Sequence, residues 1–202
     1  MKIKVCGMRD PDNIAKVACL KPDFMGFIFY EKSPRYAEQL RPDALNVLSG
    51  KTLRVGVFVD AEEDYIRKTT EKYQLDFLQL HGNESPETCF RLKKYARIIK
   101  AFGLKTTDDL KPITGYEGIC DYYVFDTKTK IPGGSGQQFD HQILSAYEGK
   151  TPYLLSGGLS PEDKFLVANA KKLCAGFDIN SRFETAPGVK DIDLIKQFIE
   201  FI

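Results

Sequence analysis

The sequence predicts an α/β protein, a single-domain (β/α)8 TIM barrel of the phosphate-binding type that spans residues 1–202. Three observations carry this. Eight short apolar runs recur at regular intervals; helical patterns, not hairpin turns, separate them; and the polar residues suited to chemistry stand where the runs end. The runs are rich in Val, Ile, Phe and Leu, as parallel strands buried on both faces require. An open doubly wound sheet ranks second, because "CGMRDP" is not the G-x-G-x-x-G turn such a first crossover often carries.

In chain order, "IKVC" ends on Cys6 and Gly7, and "RDPDN" then turns into a helix. "FMGFIF" leads into the loop "EKSPRY" with Arg35; "RVGVFV" runs to Asp60 and "FLQL" to His81. "SPETCFRLKKY" follows with helix-start punctuation, Ser85 at the N-cap, Pro86 at the first helical position and Glu87 in the first turn. "RIIKAF" carries Lys100, "YYVFD" ends on Asp126, and "YLLSG" on Ser156, Gly157 and Gly158. "SPEDKFLVANA" repeats the helix start with Ser160, Pro161 and Glu162, and "AGFDI" leads to Asn180 and Ser181. The final segment, "DIDLIKQFIEFI", places Ile192, Ile195, Phe198, Ile199 and Ile202 on one face, as a helix docking on a barrel would.

Composition narrows the function classes. The formal net charge is +1 and no Lys/Arg block exceeds a pair, so the electrostatic footprint of a nucleic-acid binder is missing. Five cysteines without a C-x-x-C pair make a poor disulfide framework, and two histidines give no usual zinc spacing. The start lacks a basic segment followed by an apolar run, and no window approaches the ~18 apolar residues of a membrane span. The expectation is a reduced, cytoplasmic enzyme, monomer or homodimer, without membrane or nucleic-acid partner.

The loops after strands 7 and 8 form the phosphate cradle of many barrels, and glycines there let backbone N–H groups approach the oxygens. Gly157 and Gly158, with Asn180 and Ser181, fit that role for a small phosphorylated substrate; a tight turn before the Ser160 cap is the competing reading. The glycine-rich piece at 130–140 lacks the Lys of a P-loop and reads equally as a lid or a surface loop.

Asp126 closes strand 6 and Cys6 closes strand 1, across the mouth. An ordinary aspartate is protonated only about 0.1% of the time at neutral pH, so an acid here would have to be desolvated; an N-cap or salt bridge is the alternative. Cys6 could be a base, a nucleophile or a packed apolar side chain. From residues alone the reading stops at a sugar-phosphate or related isomerase or lyase without metal.

Taken together, "KVCGM" (4–8), "KSPRY" (32–36), "VGVFVD" (55–60), "LQLHG" (78–82), "FDT" (125–127), "GGSGQQFD" (133–140), "LSGGL" (155–159) and "GFDINSRFE" (176–184) resemble phosphoribosylanthranilate isomerases, in order and over essentially the whole chain. These tryptophan-pathway enzymes carry out an Amadori rearrangement of N-(5-phosphoribosyl)anthranilate. The resemblance implies Asp126 as the general acid on the ring oxygen, Cys6 as the base at C2, and Arg35 as the fork for the anthranilate carboxylate. It also puts the phosphate on the loops of Gly157, Gly158, Asn180 and Ser181. Ring opening supplies the electron sink, so no cofactor or metal is expected. His81 reads as site-lining or as a hydrogen-bonded structural histidine.

Three positions depart from the pattern: Arg9 where Thr is common, Arg182 where Gly is common, and His141 where Trp often follows "FD". The rival readings are another metal-free sugar-phosphate barrel enzyme and a non-catalytic barrel that holds a phosphorylated ligand.

Overall fold

A computed structural model describes residues 1–48, 50–128, 140–163 and 173–200. Eight parallel strands close into a barrel in sequence order: β1 (Lys2–Val5), β2 (Phe24–Ile28), β3 (Leu53–Phe58), β4 (Phe77–Leu80), β5 (Arg97–Leu104), β6 (Tyr122–Thr127), β7 (Tyr153–Leu155) and β8 (Cys174–Ile179). β1 pairs with both β2 and β8, and the second contact aligns Lys4 with Asp178. Closure rules out the open sheet.

The crossovers are less regular than eight helices. α1 (Pro11–Ala18), α2 (Glu63–Tyr73), α3 (Pro86–Leu92) and α4 (Ile192–Ile199) are α-helical. The connections after β2, β5 and β6 instead carry 3-10 turns at Pro42–Val47, Thr107–Tyr116 and His141–Ala146. Three of the four helix starts have a side-chain cap. Asp10 accepts from the Asn13 N–H, Ser85 from the Thr88 N–H, and Asp191 from the Asp193 and Leu194 N–H groups. On α4, Ile195 and Phe198 are buried and Ile192 and Ile199 pack at the margin, as the apolar stripe predicts. The segment after Pro161 lies largely outside the described residues, as do Ile202 and the glycine-rich stretch apart from Asp140.

One device recurs at the bottom of the barrel. Asp23, Asp76 and Asp121 each stand just before an even-numbered strand. Their carboxylates accept the backbone N–H of Ile3 (2.8 Å), Arg54 (2.7 Å) and Ile98 (2.9 Å) at the start of the preceding strand. The residue after each is aromatic and points inward. Phe24, Phe77 and Tyr122 meet with ring centroids 5.5, 5.8 and 6.0 Å apart, and Val55, Ile99, Val124 and Leu154 complete this inner core. The dipeptides "DF", "DF" and "DY" thus tie strand starts together and plug the barrel floor. The two opposite faces follow from strand alternation.

Candidate active site

Above that apolar floor the inner lining turns polar. A pocket at the C-terminal ends of the strands is lined by Cys6, Arg35, Gln79, His81, Asp126, Ser156, Gly157, Gly158, Asp178, Asn180 and Ser181, with Ile28, Val57 and Val59 as apolar wall. Every residue that the sequence put forward for catalysis or substrate binding therefore faces one space.

At the end of β6, the Thr127 N–H donates to Oδ1 of Asp126 at 2.7 Å, and His81 Nε2 stands 3.5 Å from Oδ2. Gln79 Nε2 meets His81 Nδ1 at 3.2 Å, which fixes the ring from behind. Oε1 of Gln79 is buried in the pocket wall without a hydrogen-bond partner among the described residues. Gly157 packs on the same carboxyl. Its φ of +86° suits glycine, and a Cβ there would lie 2.5 Å from Thr127 Oγ1 and 3.2 Å from Asp126 Oδ1.

The surroundings of Cys6 answer why glycine follows it. Gly7 has φ +78°, and a Cβ on it would fall 2.7 Å from both Arg35 Cδ and Asn180 Oδ1. The chain turns sharply here, and the side chains of the second and eighth loops pack directly on Gly7. The thiol is buried, which pushes it up from its ordinary value, while the neighbouring Lys4 pulls it back. Lys4 is wholly buried and holds both Asp178 oxygens at 2.9 Å.

Arg35 is clasped from behind. Its Nε donates to Glu184 Oε1 at 2.9 Å and its Nη2 to Oε2 at 2.7 Å, which leaves Nη1 as the edge without a partner among the described residues. Glu184 starts a small antiparallel hairpin of β9 (Glu184–Ala186) and β10 (Val189–Lys190). Lys190 returns along it to donate to Glu184 and, at 2.7 Å, to Asn180 Oδ1. Burial pulls the Lys190 ammonium down to about 8 against the Glu184 charge. For Glu184, burial works against the charge, yet Arg35 and Lys190 outweigh it and hold the carboxyl below its usual range.

Other strand-end polar groups serve the scaffold. Asp60 accepts the Asn83 N–H at 2.6 Å, and Lys100 points outward into backbone carbonyls. Arg9 donates to the Pro34 carbonyl at 3.0 Å, and Arg182 is exposed at the rim. Sequence reasoning missed Lys4, Gln79, Asp178, Glu184 and Lys190. The available signal was a Lys, a Gln and an Asp inside otherwise apolar strands. Among the described residues no cluster could hold a metal ion, and no helix is long and apolar enough to cross a membrane.

The comparisons agree over the full chain. The family model for N-(5'-phosphoribosyl)anthranilate isomerase matches residues 3–201. The enzyme of that name from Parabacteroides distasonis is 47% identical, covering 100% of this chain and 93% of the relative, and that from Phocaeicola vulgatus is 45% identical, covering 98% and 96%. The crystal structure of the Thermotoga maritima isomerase superposes with a TM-score of 0.85 at 32% identity, covering 100% and 98%; a second structure from that organism is of monomers generated from a dimeric enzyme. A further isomerase structure, in complex with reduced 1-(o-carboxyphenylamino)-1-deoxyribulose 5-phosphate, gives 0.82 at 29% identity, covering 99% and 97%. With the polar barrel mouth, the matching family model and these relatives in agreement, the chain belongs to the N-(5'-phosphoribosyl)anthranilate isomerase family.

Proposed function

We propose that this chain isomerises N-(5'-phosphoribosyl)anthranilate to 1-(2-carboxyphenylamino)-1-deoxyribulose 5-phosphate in tryptophan biosynthesis, with Asp126 as general acid and Cys6 as general base. The observation that carries the assignment of roles is that these two groups face one pocket whose remaining polar wall suits a carboxylate at one place and a phosphate at another. Its natural setting is the cytoplasm, as a monomer or homodimer.

Asp126 gives its proton to the ring oxygen as the C1–O bond breaks, and the anilino nitrogen lone pair forms the iminium. The Cys6 thiolate takes the C2 proton, and the C–H electron pair becomes the C1–C2 double bond of the enolamine. Tautomerisation, with a proton lost from the C2 oxygen and one gained at C1, gives the ketone. Nη1 of Arg35 meets the anthranilate carboxylate with charge-assisted hydrogen bonds. Backbone N–H groups around Gly157 and Gly158, with Asn180 and Ser181, take the phosphate. The unfilled Oε1 of Gln79 accepts from a sugar hydroxyl.

The test is loss of anthranilate fluorescence when protein is added to freshly generated substrate, with Cys6→Ser alongside. Rapid decay with wild type and a rate lower by about 10²–10⁴-fold in the variant is the expected result. Equal decay by the two would return Cys6 to a packing role.

A further inference from the structure

A base buried as Cys6 is buried needs a source of positive charge, because desolvation disfavours the thiolate it must form. The groups facing the thiol are Lys4 on its own strand, Asp178 on β8, Lys190 on β10 and, around the mouth, Arg35, Lys32, His81 and Asp126. Lys4 lies on β1 and Cys6 one residue past its end, where the Cys6 N–H still bonds the Ile179 carbonyl at 2.9 Å, so both side chains point into the barrel. Ile3 and Val5, before and between them, belong to the outer core.

A third residue makes the juxtaposition possible. Gly26 on the adjacent strand β2 has no side chain, and a Cβ there would lie 2.9 Å from Cys6 Sγ and 3.2 Å from Lys4 Nζ. The thiol and the ammonium thus share the small space that this glycine leaves open. Asp178 accounts for the far side of Lys4, with both carboxylate oxygens at 2.9 Å. Burial opposes the Lys4 charge, but Asp178 and Cys6 outweigh it and hold the ammonium protonated above its ordinary value.

We propose that Lys4 is a positioning residue that acts through Cys6, as the fixed counter-charge of the thiolate, and that Asp178 holds Lys4 in place for this task. The inference rests on the reading of Cys6 as the base. Lys4 does not line the pocket and gives up no proton. When Sγ takes the C2 proton the thiol becomes neutral, and Lys4 keeps its pairing with Asp178, so the ammonium has a partner in both states.

Alkylation of Cys6 by iodoacetamide across pH, read by mass spectrometry at the Cys6 peptide, follows the thiolate without any reference to turnover. Lys4→Met removes the charge at similar length. Because it leaves Asp178 buried and unpaired, the double variant Lys4→Met/Asp178→Asn is run beside it, with circular dichroism to confirm folding. Lys4 pulls on the thiol more strongly than Asp178 pushes. The rise of Cys6 alkylation is therefore expected to move to higher pH in both variants, by about one to three pH units for loss of a close opposite charge. The rising limb of kcat with pH should move with it. An unchanged alkylation profile in the folded double variant would overturn the proposal. A shifted alkylation profile with unaltered kcat would leave Lys4 as the counter-charge of the thiol and remove Cys6 from its role as base, so the two failures are distinguishable.

Discussion

Two buried lysines, Lys4 on β1 and Lys100 on β5, show how the same residue type becomes a site on one side of a strand and scaffold on the other. Both are almost wholly covered and both meet a carboxylate, Lys4 that of Asp178 and Lys100 that of Glu84 at 3.3 Å. Lys100 sits between inward-facing Ile99 and Ala101, so it points to the outer wall. There its three donors are taken by the carbonyls of Leu80 (3.1 Å), Gly82 (2.9 Å) and Ala101 (2.9 Å). Its charge ties the loop after β4 to the barrel. Lys4 points inward, meets no backbone carbonyl within hydrogen-bond reach among the described residues, and stands beside a thiol that opens to the pocket. What separates the two is strand parity and the partner, not residue type or burial.

That contrast can be broken most forcefully by exchanging the two charges for methionine. Removing one member of a buried ion pair costs about 3–5 kcal/mol, so Lys4→Met and Lys100→Met should both lower the denaturation midpoint. Steady-state kinetics on the folded protein should then divide them: kcat falls at neutral pH for Lys4→Met and stays near wild type for Lys100→Met. Comparable loss of kcat in both would erase the distinction between mouth and wall.

A smaller effect is expected at the Arg35 clasp, which combines both roles. Glu184→Gln weakens the hold on the guanidinium, and KM for substrate should rise about tenfold, as for loss of ~1–2 kcal/mol from a charge-assisted contact, with kcat little changed. Glu184 also has a pH signature. Its folded-state carboxyl is held below the ordinary range, so its contribution to stability is fully present above about pH 5 and is lost as pH falls through the folded value. The stability difference between wild type and Glu184→Gln, from urea melts, should shrink in that acid range.

The smallest change is predicted at the barrel floor. Asp76→Ala removes the acceptor of the Arg54 N–H and should cost about 1–2 kcal/mol of unfolding free energy while leaving kcat and KM unaltered. A kinetic defect there would mean that floor and mouth are coupled.

The strands were legible in the sequence because a doubly buried parallel strand reads as a short apolar run, and all eight runs coincide with strands. The Ser85–Pro86 start was legible for an equally local reason. The 3-10 turns after β2, β5 and β6 were not, since segments such as "PDALNV" are too short for an apolar period to show what replaces a full helix. At the site, Cys6, Arg35, Asp126 and the glycine loops stood out because each ends or follows a strand. The Lys4–Asp178 pair did not. Its members are 174 residues apart, and only closure of β8 on β1 brings them together. The Glu184 and Lys190 hairpin was hidden for a related reason, since its function is visible only through Arg35, 149 residues earlier than Glu184.

The central claim, that the inward-facing acid at the end of β6 opens the sugar ring, is tested most directly by Asp126→Asn. Binding of the reduced product analogue would be measured by titration, and turnover by loss of anthranilate fluorescence, on the same preparation. Near-normal affinity with turnover reduced by about 10²–10⁴-fold or more is the expected result. Turnover at the wild-type rate with affinity preserved would contradict it and remove Asp126 from the reaction.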